Sequence, residues 1–426
     1  MTIKEALEFI HSVSWMGSTL GLHRINELIQ RLGSPVMKGV IHIAGTNGKG
    51  STASMLASIL TAAGYKTGLY TSPFIFEFNE RMQINGKSIS DDELAKLTEQ
   101  VQPHALAMAD RPREFELVTA IAALYFTKHD CDYVVFETGM GGELDATNFV
   151  QSPVCSVITA IGLDHVQELG DTLPKIARTK AGIIKPDCDT VLYEQTQDVM
   201  DVIADVCRDK NSSLTITEPN RIQSIGDSIN GQTFTYKDSP EYTIRLLGAH
   251  QLRNAATVLE VIDLLRRRGA EISADAVYDG LLHTRWPARF EVVMTKPCFI
   301  IDGGHNPQCA ETIRANVEKY FPNNKIIFLI GILQDKDITG LTDIINDAAC
   351  EYVTIKPNSP RAMAETELAQ FLSERYNKPA YPCAAVSQGV KKAIELAGEQ
   401  GIICAAGSLY AVGDIQAAVD DYLAGR

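Results

Sequence analysis

The segment Gly45-Thr46-Asn47-Gly48-Lys49-Gly50-Ser51 limits the choice of folds more than any other stretch of the chain. It lies between a short apolar, β-branched run at 40–44 and a segment of helical period at about 51–63, and a further apolar run at 66–70 closes a βαβ unit. Glycines let successive backbone N–H groups turn onto a polyphosphate, and the helix N-terminus adds its positive dipole end. Lys49 brings a point charge, and Ser51 or Thr52 brings a hydroxyl suited to Mg²⁺. The spacing departs from the commonest phosphate loop: an extra glycine separates the lysine from the serine.

The same alternation continues. Leu117, Ile121 and Leu124 place an amphipathic helix over 113–129, ahead of strand 131–137, strand 154–160 and a helix at 172–181. Two alternating runs, 232–236 and 242–246, flank a polar Asp-Ser-Pro turn and predict an antiparallel element. Composition breaks near 283–296, after which the βα pattern restarts with strands at 298–302, 325–331, 351–355 and 401–405, and helices from 307 and over 338–349. The expected architecture is α/β: a phosphate-loop N-terminal domain with a mostly parallel sheet, residues 1–295, and a smaller Rossmann-like α/β C-terminal domain, residues 296–426.

Composition removes several function classes. The 426 residues carry 39 Lys and Arg against 53 Asp and Glu, a net charge of −14, so no broad basic field exists to hold nucleic acid. An anionic ligand must be held locally. The nine cysteines are scattered without a CxxC pair and read as reduced thiols, and Lys4, Glu5 and Glu8 interrupt any secretion signal in the first residues. No apolar run approaches the length of a membrane span, and the expected location is the cytoplasm.

Several residues have chemistry that the residues alone leave open. Glu137 ends a strand, where α/β sheets gather ligands, but a strand-end glutamate is also a common ion-pair partner. By itself His165 reads as a structural histidine, and Lys180 as a solvated helix residue. Phe74, Phe76 and Phe78 fit either an aromatic ligand platform or alternate residues of an edge strand. The second glycine cluster, Gly139-Met140-Gly141-Gly142, has Leu144 where a dinucleotide fingerprint needs its third glycine, which argues against a nicotinamide site.

The motifs taken together are more specific. GTNGKGS, YTSPF (70–74), NERMQING (79–86), FETGMGGELDATN (136–148), GLDHVQELG (162–170), IARTKAGIIK (176–185), HQLRNAA (250–256), RWPARFE (285–291) and DGGHNP (302–307) run through most of the chain. In this order the sequence resembles the folylpolyglutamate synthases and bifunctional dihydrofolate synthases of the Mur ligase superfamily. Thr138 and Gly304 stand where Val and Ala are frequent in that family.

The resemblance implies an ATP-dependent ligase that activates a carboxylate as an acyl phosphate and joins it to L-glutamate. It implies that Gly45, Thr46, Asn47, Gly48, Lys49, Gly50, Ser51 and Thr52 bind ATP phosphates, with Asn254, Arg289, Asp302 and His305 contacting the nucleotide. It further implies two Mg²⁺ ions held by Ser51, Ser72, Glu137, His165 and Lys180, the last as a carbamate, and leaves a monovalent cation open. Lys49, His165 and Lys180 are then the expected catalytic residues. Phe74, Arg81 and Asp145 are expected at a folate or dihydropteroate site, and Asp145 is the position that favours dual activity. The expected partners are dihydropteroate or reduced folate, L-glutamate and ATP, acted on by a monomer without nucleic acid or membrane. A cell-wall ligase would need an extra N-terminal domain, for which 44 residues before the loop leave no room. A phosphate-loop NTPase without ligase chemistry is the reading from another class, and a binding module without activity would be expected to lack these ligands.

Overall fold

The computed structural model describes residues 1–12 and 21–425, so the part of the N-terminal reading that falls on 13–17 lies outside the described residues. Two compact units emerge: Met1–Ser224 with Phe234–Thr243 and Gln251–Thr284, and Ile225–Thr233 with Ile244–His250 and Arg285–Arg426. The division at Thr284 falls inside the composition break at 283–296.

The first unit is built on eight strands: β1 Val40–Ala44, β2 Thr67–Tyr70, β3 Met82–Ile84, β4 Lys87–Ser88, β5 Tyr133–Glu137, β6 Cys155–Ile158, β7 Asp189–Leu192 and β8 Ser213–Ile216. Their order is β4-β3-β2-β5-β1-β6-β7-β8, parallel except for the β3 and β4 edge. All five residues of β1 are buried, as a strand covered on both faces requires. Because β1 lies between β5 and β6, with Ile43 opposite Glu137 and Ala44 opposite Ile158, three strand ends converge where the phosphate loop leaves the sheet. Such a reversal of strand order opens a crevice at the carboxyl ends of the strands.

Under this crevice the core is aromatic. Tyr70 and Phe136 stack at 4.8 Å between centroids and Phe149 meets Phe136 at 6.2 Å, pairs worth about 0.5–1.5 kcal/mol each beyond simple burial. Helix Lys49–Ala62 is buried along most of its length, which explains its apolar, small-residue sequence and the lack of a polar stripe.

A three-strand sheet, β9 Ile222–Ser228, β10 Gly231–Tyr236 and β11 Tyr242–Ile244, contains both runs expected at 232–246. It adds β9, whose nearly continuous exposure leaves no alternating signal. The second unit holds β12 Glu291–Thr295, β13 Cys298–Ile301, β14 Ile326–Ile330, β15 Ala349–Thr354, β16 Ala380–Pro382 and β17 Ile402–Ala406. Their order is β12-β13-β17-β14-β15-β16, with only β12 antiparallel. Thus 291–295, expected at the end of the first domain, pairs with β13 of the second sheet. No described helix is long and apolar enough to cross a membrane.

Candidate active site

The phosphate loop is held from outside by the segment after β6. The N–H groups of Thr46 and Asn47 both donate to Ala160 O, at 2.8 and 3.1 Å. The Thr46 hydroxyl donates to Gly162 O and accepts from Gly162 N, both at 3.0 Å, while Thr159 Oγ1 donates to Asn47 O at 2.8 Å. Gly45 is required by this packing, because a Cβ there would lie 1.8 Å from Thr159 Oγ1. Gly48 is required twice: its φ is +84°, and a Cβ would come within 2.7 Å of Asn254 Oδ1.

Gly48 is also the N-cap of helix Lys49–Ala62, and no side chain caps that end. The dipole and the leading N–H groups of Lys49, Gly50 and Ser51 therefore face the loop's concavity, the arrangement that binds phosphate. Lys49 Nζ donates to Thr46 O at 3.3 Å and lies 3.9 Å from Glu137 Oε1. Glu137 is buried at the end of β5, and its Oε2 accepts from Ser72 N at 3.3 Å. Ser51 and Thr52 are buried in the first helical turn, and Thr52 Oγ1 has no hydrogen-bond partner.

Lys180 corrects the reading of a solvated helix residue. It ends helix Leu173–Lys180, is 3% exposed, and donates from Nζ to Gly45 O at 2.8 Å. Burial, reinforced by the positive charge of Lys49, pushes its pKa down to about 7. His165 corrects the structural reading in the opposite direction: its side chain is 42% exposed, at φ +49°, with Nε2 4.0 Å from Asp164 Oδ1. Among the described residues no three His, Cys, Asp or Glu side chains form a metal cluster.

The aromatic segment is not an edge strand. Phe74 and Phe76 are exposed, and Phe78 is buried at the start of the 3-10 turn Phe78–Arg81. Arg81 is buried with its guanidinium carbon 5.3 Å from the Phe74 ring and 5.2 Å from Phe78, and its Nε has no partner. A cation stacked on aromatic faces, with no acidic partner among the described residues, is suited to an anionic or electron-rich ligand.

Asp145 is buried, and its carboxylate meets donors of its own loop. Its Oδ1 accepts from Thr147 N at 2.9 Å and Thr147 Oγ1 at 2.6 Å, and its Oδ2 from Met140 N at 2.8 Å. Both oxygens thus serve the loop's own donors, and burial raises the pKa. Thr147 Oγ1 also meets His42 Nε2 at 2.8 Å.

In the second unit, Asp302 directly follows β13. Its two carboxylate oxygens accept from Phe290 N at 2.9 Å and Gly304 N at 2.7 Å, and burial raises its pKa. Arg289 Nη1 donates to Ala288 O at 2.9 Å, and His305 Nδ1 lies 3.1 Å from Gly303 O. These three share one strand end.

Two residues outside the expected set enter the network. Thr159 braces the loop, and Gln251, three residues before Asn254 on helix Ala249–Arg267, donates to Ser51 Oγ at 3.3 Å. The i, i+3 spacing in HQLRNAA was the available signal for Gln251.

Comparison with known proteins agrees with this fold. Residues 43–262 match the Mur ligase middle domain, and residues 288–409 match the Mur ligase, glutamate ligase domain. The chain is 35% identical to a dihydrofolate synthase/folylpolyglutamate synthase of Bacillus subtilis, over 97% of this chain and 98% of the relative. Folylpolyglutamate synthase of Mycobacterium tuberculosis, complexed with ADP and AMPPCP, superposes with a TM-score of 0.88 at 29% identity, covering 100% of this chain and 98% of the other. E. coli FolC in complex with DHPP and ADP gives 0.86 at 29% identity, with 99% of each chain covered.

Proposed function

The chain belongs to the Mur ligase superfamily, in its folylpolyglutamate synthase and dihydrofolate synthase branch, and from that premise we propose that it uses ATP to join L-glutamate to folates and to dihydropteroate. The observation that carries the reading is the uncapped helix end at Gly48, with Lys49, buried Glu137 and buried Lys180 gathered around the phosphate loop. A plain NTPase needs the loop but not a buried lysine with a pKa near 7 against its backbone.

In this reading the loop amides from Gly45 to Thr52 cradle the phosphates of ATP, and Lys49 stabilises the charge that spreads over the γ-phosphoryl group. A substrate carboxylate oxygen attacks γ-phosphorus and ADP departs. The neutral amine of glutamate then attacks the carbonyl carbon, inorganic phosphate leaves, and the amine proton passes to solvent.

Glu137, Ser51 and Ser72 are hard oxygen donors, and the buried Thr52 hydroxyl next to Ser51 has no partner among the described residues, so the set fits Mg²⁺. A donor set of one carboxylate and hydroxyls suits an ion that keeps waters and phosphate oxygens as ligands. When bound, Mg²⁺ neutralises phosphate charge. His165 and Lys180 are assigned to a second ion. The Lys180 amine, partly neutral near pH 7, can add to CO₂ with loss of a proton, and the resulting carbamate keeps one N–H for Gly45 O.

Arg289, Asp302 and His305 are assigned to the nucleotide, the unit that holds β1–β8 to ATP and folate, and the unit that holds β12–β17, whose C-terminal part begins at Arg285 rather than at 296, to glutamate ligation. Arg81 and Phe74 are assigned to the folate or dihydropteroate. We place the protein in the cytoplasm as a monomer. A second reading, polyglutamate synthesis alone, draws on the Asp145 carboxylate being taken up by Met140 and Thr147. The test of the common mechanism is trapping: ATP and the pteroate substrate with hydroxylamine in place of glutamate should give a hydroxamate. Absence of hydroxamate, with ATP still hydrolysed, would refute acyl-phosphate formation.

A further inference from the structure

Gln251 is fully buried on helix Ala249–Arg267, and each end of its amide is spoken for. Asn254 Nδ2 donates to Gln251 Oε1 at 3.0 Å, which leaves Gln251 Nε2 to donate to Ser51 Oγ at 3.3 Å. Asn254 in turn has its Oδ1 against Gly48, at the position that forbids a Cβ. One continuous chain therefore runs from Ser51 through Gln251 and Asn254 back to the loop residue that caps the same helix.

A serine hydroxyl has one proton and two lone pairs. An N–H from Gln251 takes one lone pair, so the other lone pair is the only one left for a cation. Without that donor, a serine in the first helical turn is free to rotate and bond its hydroxyl back onto a nearby carbonyl. We propose that Gln251 is a positioning residue for the nucleotide site: it holds Ser51 Oγ in the orientation that accepts Mg²⁺ and ties that orientation to Asn254. The inference rests on the assignment of Ser51 to the metal and Asn254 to the nucleotide.

Binding of AMPPCP, measured by calorimetry with Mg²⁺ and separately with EDTA, tests the role without turnover. Gln251→Met keeps the length and removes both bonds; it should lose about tenfold in Mg²⁺-dependent affinity and much less in EDTA. Gln251→Glu keeps the bond from Asn254 but cannot donate to Ser51, and should show the same Mg²⁺-selective loss; it decides the matter if the Met variant fails to fold. Ser51→Ala combined with Gln251→Met should be no worse than the worse single variant, because both act at one oxygen. Equal losses with and without Mg²⁺, or losses that multiply in the double variant, would overturn the proposal. If Ser51→Ala alone leaves the Mg²⁺ enhancement intact, the metal assignment of Ser51 fails and takes the inference with it, while the hydroxamate result stands apart.

Discussion

Two strand-to-helix turns in this molecule start alike and end differently. After β1, the chain passes through Gly48 into helix Lys49–Ala62 with no side chain on the helix end. After β13, it passes through Asn306 into helix Pro307–Tyr320, where Asn306 Oδ1 accepts from Cys309 N at 2.9 Å and Pro307 supplies no N–H at all. The second helix satisfies its end internally, whereas the first is left for a ligand. The side chains around each turn follow the same division: Lys49 brings positive charge to the open end, while Asp302 spends both carboxylate oxygens on its own loop. An anion site is thus made by withholding a cap as much as by adding a lysine.

The largest effect that should separate the two turns is at Lys49. Lys49→Ala should reduce ligation by about 10³-fold with the thermal midpoint nearly unchanged; wild-type turnover in that variant would break the contrast. Lys180→Ala should be inactive at ordinary Mg²⁺ and partly recover with added acetate, which can replace the carbamate oxygens; full activity without acetate would exclude a carbamate. Gly45→Ala forces Thr159 aside, so nucleotide affinity should fall before global stability does, as calorimetry alongside thermal melts would show. At the closed turn the profile reverses. Asn306→Ala should cost about 1 kcal/mol of stability in denaturant titration with the KM for ATP little changed.

The smallest effect is on pH. Burial holds His42 neutral, with its pKa lowered to about 3 from 6.5, so the unfolded chain binds the extra proton between those values. Its contribution to stability is therefore complete above pH 6.5 and is lost as pH falls toward 3. His42→Gln should flatten the acid limb of the stability curve; an unchanged slope would show that His42 does not drive it.

The sequence made the strand ends legible because parallel strands buried on both faces are continuous apolar runs, and 40–44 coincides with β1. It concealed β9, whose residues are almost all exposed, and helix Val386–Ala397, where Gly389 interrupts the pattern. At the site, glycines and Lys49 were readable from local spacing. Burial was not: Lys180 sits in the same kind of amphipathic helix whether its amine faces water or Gly45 O, and only the packing of helix Leu173–Lys180 beside the loop decides. Asp145 shows the converse, since a motif position gives the residue but not the direction of its carboxylate.

The central claim is tested most directly by ATP- and Mg²⁺-dependent incorporation of labelled L-glutamate, with dihydropteroate and a reduced folate monoglutamate offered separately. The account predicts label in both products, each with one ADP and one phosphate formed per amide bond. ATP hydrolysis with no label in either product would contradict it.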